Sequence, residues 1–428
     1  MRIHWSKVLS AVTSLALVAG GVGAVTQASS AASKTTITFW NEMTGPYKPV
    51  VTDEIKAFEK LHPNIVVQDI TIPNDAALRP KLLAAVVGGD PPTLSQMNPP
   101  WATGFIQNHQ LVNLTTYIHG KNGLTAKDLK DFYPSMMAGG RWPDGNQYLM
   151  PFNLSAAIMF FDKNQFQAAG IKAPPTTWAQ WSQDLKKLST KGRHAFAITL
   201  VHAYPFLAFF YQAGGHFVGK NNMPNPAAFA PNGAGTRALA LWTQEVKSGE
   251  AILTQGYASQ TDFANGTSSV LVGTSAFAPY LVQAVAGKFT IGVAPLPAGV
   301  KKATSLFGGY LGMFAQASTA QKNAAWLFIK YLTSVPGNIL WLEKTQGYLP
   351  VRESTARYAR KYLAEHEAQR VALEVLPTAR PESKPLWWSE FSNKILINAI
   401  DSALLGRATP AQAMKTAYQQ ALAVAKGH

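Results

Sequence analysis

The chain has no cysteine. That excludes disulfides, cysteine-ligated metals and thiol catalysis. It also excludes the lipid anchor that bacterial lipoproteins carry on a cysteine. Carboxylates are scarce, with 23 Asp and Glu against 38 Lys and Arg and a net charge of +15 at pH 7. Charged residues make up only 14% of the chain, so the imbalance reflects few acids rather than many bases. The densest basic runs are Lys186-Lys187, Lys301-Lys302 and Arg357 to Lys361, and none is interleaved with base-stacking aromatics. A solvated basic surface therefore fits better than a nucleic-acid interface. An acidic external medium is one explanation for the shortage of acids.

Catalytic and metal-binding motifs are missing as well. There is no Gly-x-Ser-x-Gly elbow and no His-Glu-x-x-His. The nine histidines are scattered, and none pairs at metal-ligand spacing on a helix. Gly214 to Lys220 matches the first part of a P-loop, but Asn221 stands where Ser or Thr would hold magnesium. No cofactor is expected. Glu42 and Asp144 are loop carboxylates of the type a secreted glycosidase needs in pairs, yet nothing fixes them as a pair. The chain reads as a binder and not as an enzyme.

What is present begins with an export signal. Arg2 and Lys7 precede an uncharged apolar stretch from Val8 to Val25, and Gln27 to Ala32 offers small residues for cleavage. Residues 1–31 are expected to be a signal peptide, with a retained anchor as the alternative. No later segment is apolar enough to span a membrane. After cleavage about 397 residues remain, a length that points to about two domains.

Strands and helices alternate along this remainder. Thr35 to Trp40 and Ile65 to Val67 read as strands, and Val51 to Leu61 reads as a helix stopped by Pro63. Leu78 to Val87 is a helix with Pro80 in its first turn. Ala156 to Phe161, Ala195 to Leu200 and Ser269 to Thr274 are strand-like. Trp178 to Leu188 is a helix with Thr177 as candidate N-cap. Thr236 to Lys247, Ala320 to Thr333, Pro336 to Lys344 and Pro410 to Ala425 are helix-like. The pattern argues for α/β layers around a largely parallel sheet.

Aromatics are abundant, with 11 Trp, 14 Tyr and 21 Phe. Trp178, Trp181, Trp242, Trp326 and Phe328 lie on helical faces and read as packing. Trp40, Trp101, Tyr204, Phe277, Tyr310, Tyr348, Trp387 and Trp388 lie where the chain turns. Flat aromatic faces suit the C–H faces of a sugar, while neighbouring polar groups bond its hydroxyls. The adjacent pair Trp387-Trp388 after Pro385 is the leading candidate, since two neighbouring indoles are hard to bury together.

Several segments, in order, resemble family 1 extracellular solute-binding proteins of ABC importers. They are Ile37 to Trp40, Phe58 to Pro63, Ala84 to Thr93, Tyr148 to Asn153, Phe160 to Phe166, Ala169 to Ile171, Pro174 to Trp178, Phe263 to Gly266 and Gly292 to Pro297. Gly308 to Gly312 and Gly347 to Pro350 complete the set. The resemblance implies an α/β two-lobe periplasmic-binding-protein fold of type II, with discontinuous lobes joined by a hinge. The N-terminal lobe would comprise 32–150 plus 276–306, and the C-terminal lobe 151–275 plus 307–428. A monomer would hold a carbohydrate between the lobes and dock on a membrane permease, in the periplasm or at the cell surface without a lipid anchor.

Within the family, Phe39 to Met43, Pro151 to Ser155 and Thr345 to Pro350 are similar to glycerol-3-phosphate-binding and related sugar-binding members. In that subgroup Ser155, Ser275, Gly309 and Tyr348 would contact ligand. The arginine that subgroup uses for phosphate has no counterpart in Pro385 to Asn393, where Trp387 and Trp388 stand. A neutral sugar is therefore expected over a phosphate. Trp387, Trp388, Tyr348 and Tyr310 would wall it, and Glu42, Asn98, Ser155 and Ser275 would bond it. Gly308 and Gly309 would bring backbone close to it.

Overall fold

The computed structural model describes residues 34–427. The signal peptide expected over 1–31 lies outside them. Ten strands form one extended sheet among the described residues: β1 (Thr35–Asn41), β2 (Ile65–Thr71), β3 (Leu94–Met97), β4 (Leu149–Asp162), β5 (His194–Thr199), β6 (Ala251–Thr254), β7 (Ser268–Thr274), β8 (Ile291–Ala294), β9 (Thr304–Met313) and β10 (Ala379–Arg380). Their order is β2-β1-β3-β9-β4-β7-β5-β6, with β10 beside β9 and β8 beside β4.

β1 runs parallel to β2 and β3, and β5 runs parallel to β6 and β7. Between these parallel groups lie β4 and β9, antiparallel to each other. The first half of β4 pairs with β9 and the second half with β7 and β8. β4 therefore crosses from one half of the molecule to the other. Its 14 residues are all buried, and successive side chains point to opposite faces. From Phe152 to Phe160 the even positions carrying Leu154, Ala156 and Ile158 join one core, while Ala157, Met159 and Phe161 join the other.

The first core gathers Phe39, Phe58, Leu94, Leu311, Phe328 and Trp341, with Phe39 edge-on to Phe328 at 5.6 Å. The second is built on Trp181, Phe196, Phe209 and Trp242, packed edge to face at 5.2–5.8 Å, a preferred aromatic geometry. This is the expected two-lobe α/β architecture. Its partition differs from the expected one. Helices Thr319–Leu332 and Val335–Thr345, which fall within 307–428, pack Ala325, Phe328 and Trp341 into the first core beside Ile37. The reason is β9, which pairs with β3 at Tyr310 to Met313 and so returns the chain to the first half. The chain returns to the second half with helix Glu367–Glu374, which packs against β4 and β8, and enters the second core from Trp387 onward.

Local signals set the element ends. Thr177 accepts a hydrogen bond from Gln180 N and starts helix Trp178–Leu188, as expected. Helix Asp75–Val87 starts three residues earlier than expected, because Asn74 Oδ1 accepts from Ala77 N at 3.0 Å. Pro80 thus lies inside the helix. Tyr204–Gln212 is a wholly buried helix, so Gly214 to Lys220 follows a helix rather than the strand a P-loop requires.

Candidate functional site

A cleft of about 560 Å³ opens between the carboxyl ends of the two parallel strand groups, within the range of small-molecule sites. Most of its lining residues follow the carboxyl end of a parallel strand. Glu42, Met43, Thr44 and Tyr47 follow β1, Asn74 and Asp75 follow β2, and Asn98 follows β3. From the other half, His202 follows β5, Tyr257 and Gln260 follow β6, and Phe277 and Tyr280 follow β7. Loops at these strand ends are where α/β sheets bind ligands, since the strands hold them rigidly while their sequence is free to vary. Phe307 of β9 and Tyr348 complete the wall.

Tyrosines dominate one side. Tyr47 lies edge-on to Tyr280 at 5.8 Å and 4.8 Å from Tyr348. Its hydroxyl donates to Ala276 O at 2.7 Å, joining the two halves. Tyr348 is backed by Trp341 at 5.6 Å. Phe307 is held between His202 at 5.0 Å and Tyr204 at 4.9 Å.

The charged groups are acidic. Glu42 Oε1 accepts from Gln96 Nε2 at 2.7 Å. Burial pushes the Glu42 carboxyl up to about 8, and Asp75 adds to the rise while the Gln96 bond opposes it. Burial lowers His202, with Asp75 opposing. No lysine or arginine lines the cleft. A second cavity of about 580 Å³ lies among Lys127 to Asp131 and Arg352 to Tyr358. Its Arg352 is already paired with Asp128 and Asp131 at 3.5 and 3.6 Å. Among the described residues no group of His, Cys, Asp or Glu is arranged to hold a metal ion.

Four of the residues expected to contact ligand, Glu42, Asn98, Phe277 and Tyr348, line the cleft. The others lie elsewhere. Trp40 is half-buried beneath Lys81 Nζ, 5.0 Å from its ring. Trp101 is buried in the first core, and so is Tyr310, whose hydroxyl would meet any Cβ at Gly139. Tyr204 stands behind Phe307 and acts on the cleft only through it. Ser155 is buried and donates to Phe307 O at 3.2 Å. Ser275 is buried with its hydroxyl unpartnered, just before Ala276 of the wall.

The two glycines serve close packing within the protein. Gly308 has a φ of +130°, and a Cβ there would lie 2.1 Å from Asn153 O. A Cβ on Gly309 would lie 2.5 Å from Gln96 Cγ, against the amide that holds Glu42. Neither lines the cleft.

Trp387 and Trp388 require the clearest correction. They are 3% and 1% exposed and belong to the second core. They sit at the start of a helical segment, where successive residues diverge by about 100° around the axis. Phe391, one turn on, meets both rings at 5.5 Å. Trp387 Nε1 donates to Asn222 O at 2.6 Å, which satisfies its polar edge. Adjacent indoles can thus both be buried. The carboxylate pair considered for a glycosidase does not assemble either, since Asp144 is outside the cleft and bonds to Asn146 and Tyr148.

Tyr47, Asp75, His202, Tyr257, Tyr280 and Phe307 line the cleft without having been singled out in the sequence. All but Phe307 lie beyond a strand's carboxyl end, and the strand pattern could have flagged those that follow β1, β2, β5 and β7 but not Tyr257, whose strand β6 the sequence did not reveal.

The family profile described as bacterial extracellular solute-binding protein matches residues 40–339. A binding protein of Brucella abortus (strain 2308) is 26% identical over 401 residues, covering 91% of this chain and 92% of that one. The sn-glycerol-3-phosphate-binding periplasmic protein UgpB of Rhizobium meliloti is 26% identical over 168 residues, 38% of either chain. Among solved structures, UgpB of Mycobacterium tuberculosis in complex with glycerophosphocholine superposes with a TM-score of 0.81 at 23% identity, covering 92% of this chain and 99% of that one. The GacH receptor of Streptomyces glaucescens, solved unliganded and with acarbose, gives 0.78 at 22%, with 92% and 99% covered. The chain belongs to the bacterial extracellular solute-binding proteins, the non-catalytic, ligand-capturing components of ABC importers.

Proposed function

We propose that the cleft captures a carbohydrate without phosphate groups and delivers it to a membrane permease. The observation that carries this reading is the wall itself. Tyr47, Tyr257, Tyr280, Tyr348, Phe277 and Phe307 surround Glu42, Asn74, Asn98 and Gln260, with no lysine or arginine among them. Aromatic faces cover the apolar face of a sugar, and the amides and carboxylates bond its hydroxyls. The similarity to GacH, solved with acarbose, supports the same class.

The similarity to the glycerol-3-phosphate-binding proteins favours a second reading, a phosphorylated glycerol. Against it, a phosphate needs charge-assisted donors, and here it would face Glu42 and Asp75. Ligand would stabilise the closed arrangement by binding it more tightly than the open one. Calorimetric titration of the protein with mono- and oligosaccharides, glycerol-3-phosphate and glycerophosphocholine tests the choice. Binding of a sugar and not of glycerol-3-phosphate is expected. Binding of glycerol-3-phosphate alone would overturn the reading.

A further inference from the structure

Two carboxylates, Glu42 and Asp75, share the cleft, and no lysine or arginine faces them. Gln96 gives Glu42 Oε1 a neutral amide partner at 2.7 Å. His202 is the one basic side chain on the wall, with Nδ1 4.0 Å from Asp75 Oδ2, beyond hydrogen-bond length. Burial lowers His202, so near neutral pH it leaves the Asp75 charge uncompensated. Burial first, and the Asp75 charge second, push the Glu42 carboxyl up to about 8, so both carboxylates sit in the cleft without a compensating cation. The tyrosines add to the negative character, because the face of an aromatic ring attracts cations. Tyr257 and Tyr280 stay 54% and 38% exposed and so remain free to meet a ligand.

We infer that the carbohydrate taken by this cleft carries a positively charged nitrogen, as an amino sugar does, seated between Asp75, Glu42 and the tyrosine faces. This rests on the carbohydrate reading above and narrows it. An ammonium placed there supplies the charge both acids lack, and its donors reach oxygens that Gln96 does not occupy. It also favours the ionised form of Glu42, so the Glu42 proton leaves to the buffer as the cation enters.

The test is calorimetry of the full mature protein with four probes: the β-1,4-linked glucosamine dimer, its N-acetylated counterpart, cellobiose and glycerophosphocholine. Titrations run at mildly acidic pH, in two buffers of different ionisation heat. The glucosamine dimer should bind at least about tenfold more tightly than cellobiose, with proton release that cellobiose does not cause. Asp75→Asn and Glu42→Gln, both close in shape to the residues they replace, should each bring the glucosamine dimer toward the cellobiose affinity. A melting curve on each variant checks that it is folded. Equal affinity for the glucosamine dimer and cellobiose, or an unchanged preference in both variants, would overturn the amine and leave the carbohydrate reading standing. Binding of glycerophosphocholine in preference to every sugar would overturn both.

Discussion

Asp75 and His202 face one another across the cleft, with Oδ2 4.0 Å from Nδ1. Asp75 opens a helix whose Leu78 and Leu82 lie in the first core, and His202 precedes a helix buried in the second. The pair therefore spans the two halves. Arg79, one turn on from Asp75, donates to Ser389 Oγ at 2.6 Å and spans them again.

The Arg79 bond holds the halves together without lining the cleft. Arg79→Ala should weaken ligand binding by about three- to tenfold, a loss of up to about 1.4 kcal/mol, by raising the energy of the closed arrangement. The ligand-free melting temperature should change little. Titration calorimetry beside a melting curve separates the two, and unchanged affinity would mean the bond does not contribute to closure.

His202 gives the first pH dependence. Burial lowers it from the usual 6.5, so the unfolded chain takes up a proton that the folded one refuses. The stabilisation from neutral His202 is complete above about 6.5 and is lost as pH falls toward its lowered folded value. His202→Gln should flatten this loss, as measured by melting temperature against pH. An identical profile in the variant would show that folding does not disfavour the protonated form of His202.

Buried glutamates act in the opposite direction. Burial pushes Glu54 and Glu245 each from the usual 4.5 up to about 8. The folded protein therefore holds protons that the unfolded chain releases. Their stabilising effect is complete below about 4.5 and is lost as pH rises through about 8. Glu54→Gln and Glu245→Gln should raise the urea midpoint on the alkaline side and leave the acid side nearly unchanged. A midpoint lowered at alkaline pH would show that these carboxylates are stabilised as anions.

Trp388 and Tyr348 should separate stability from binding. Trp388→Ala removes an indole packed in the second core and should cost about 3–5 kcal/mol of stability. Binding by the molecules that remain folded should be nearly unchanged. Tyr348→Ala removes a cleft wall and should weaken ligand binding by about tenfold or more, roughly 1.4 kcal/mol. Urea unfolding and calorimetry on both variants check the contrast, and the reverse pattern would return the indole to the ligand site.

Much of the fold was legible because its signals are local. Thr177 caps its helix as its position before Trp178 foretold. Helix Pro410–Lys426 ends one residue past the expected Ala425. The site was only partly legible. Glu42, Asn98 and Tyr348 stand beside recognisable turns, but Tyr257, just before a short helix, and Tyr280, inside helix Ala278–Val285, look like any exposed tyrosine. Trp387 and Trp388 misled because exposure was inferred from adjacency, whereas a helical start turns neighbouring side chains apart.

By itself the sequence determined the alternation of strands and helices, the family, the absence of thiol chemistry and the aromatic richness of the chain. Each of these depends on residue type or on neighbours a few positions apart. Only the tertiary structure decided which aromatics became core and which became wall. It also brought Asp75, Glu42 and His202 to one cleft and returned helix Thr319–Leu332 to the first core. Those outcomes depend on strand pairing between residues more than a hundred positions apart, as where Asn153 meets Gly309. Such pairing is fixed by burial of whole sheet faces, and no short stretch of sequence encodes it.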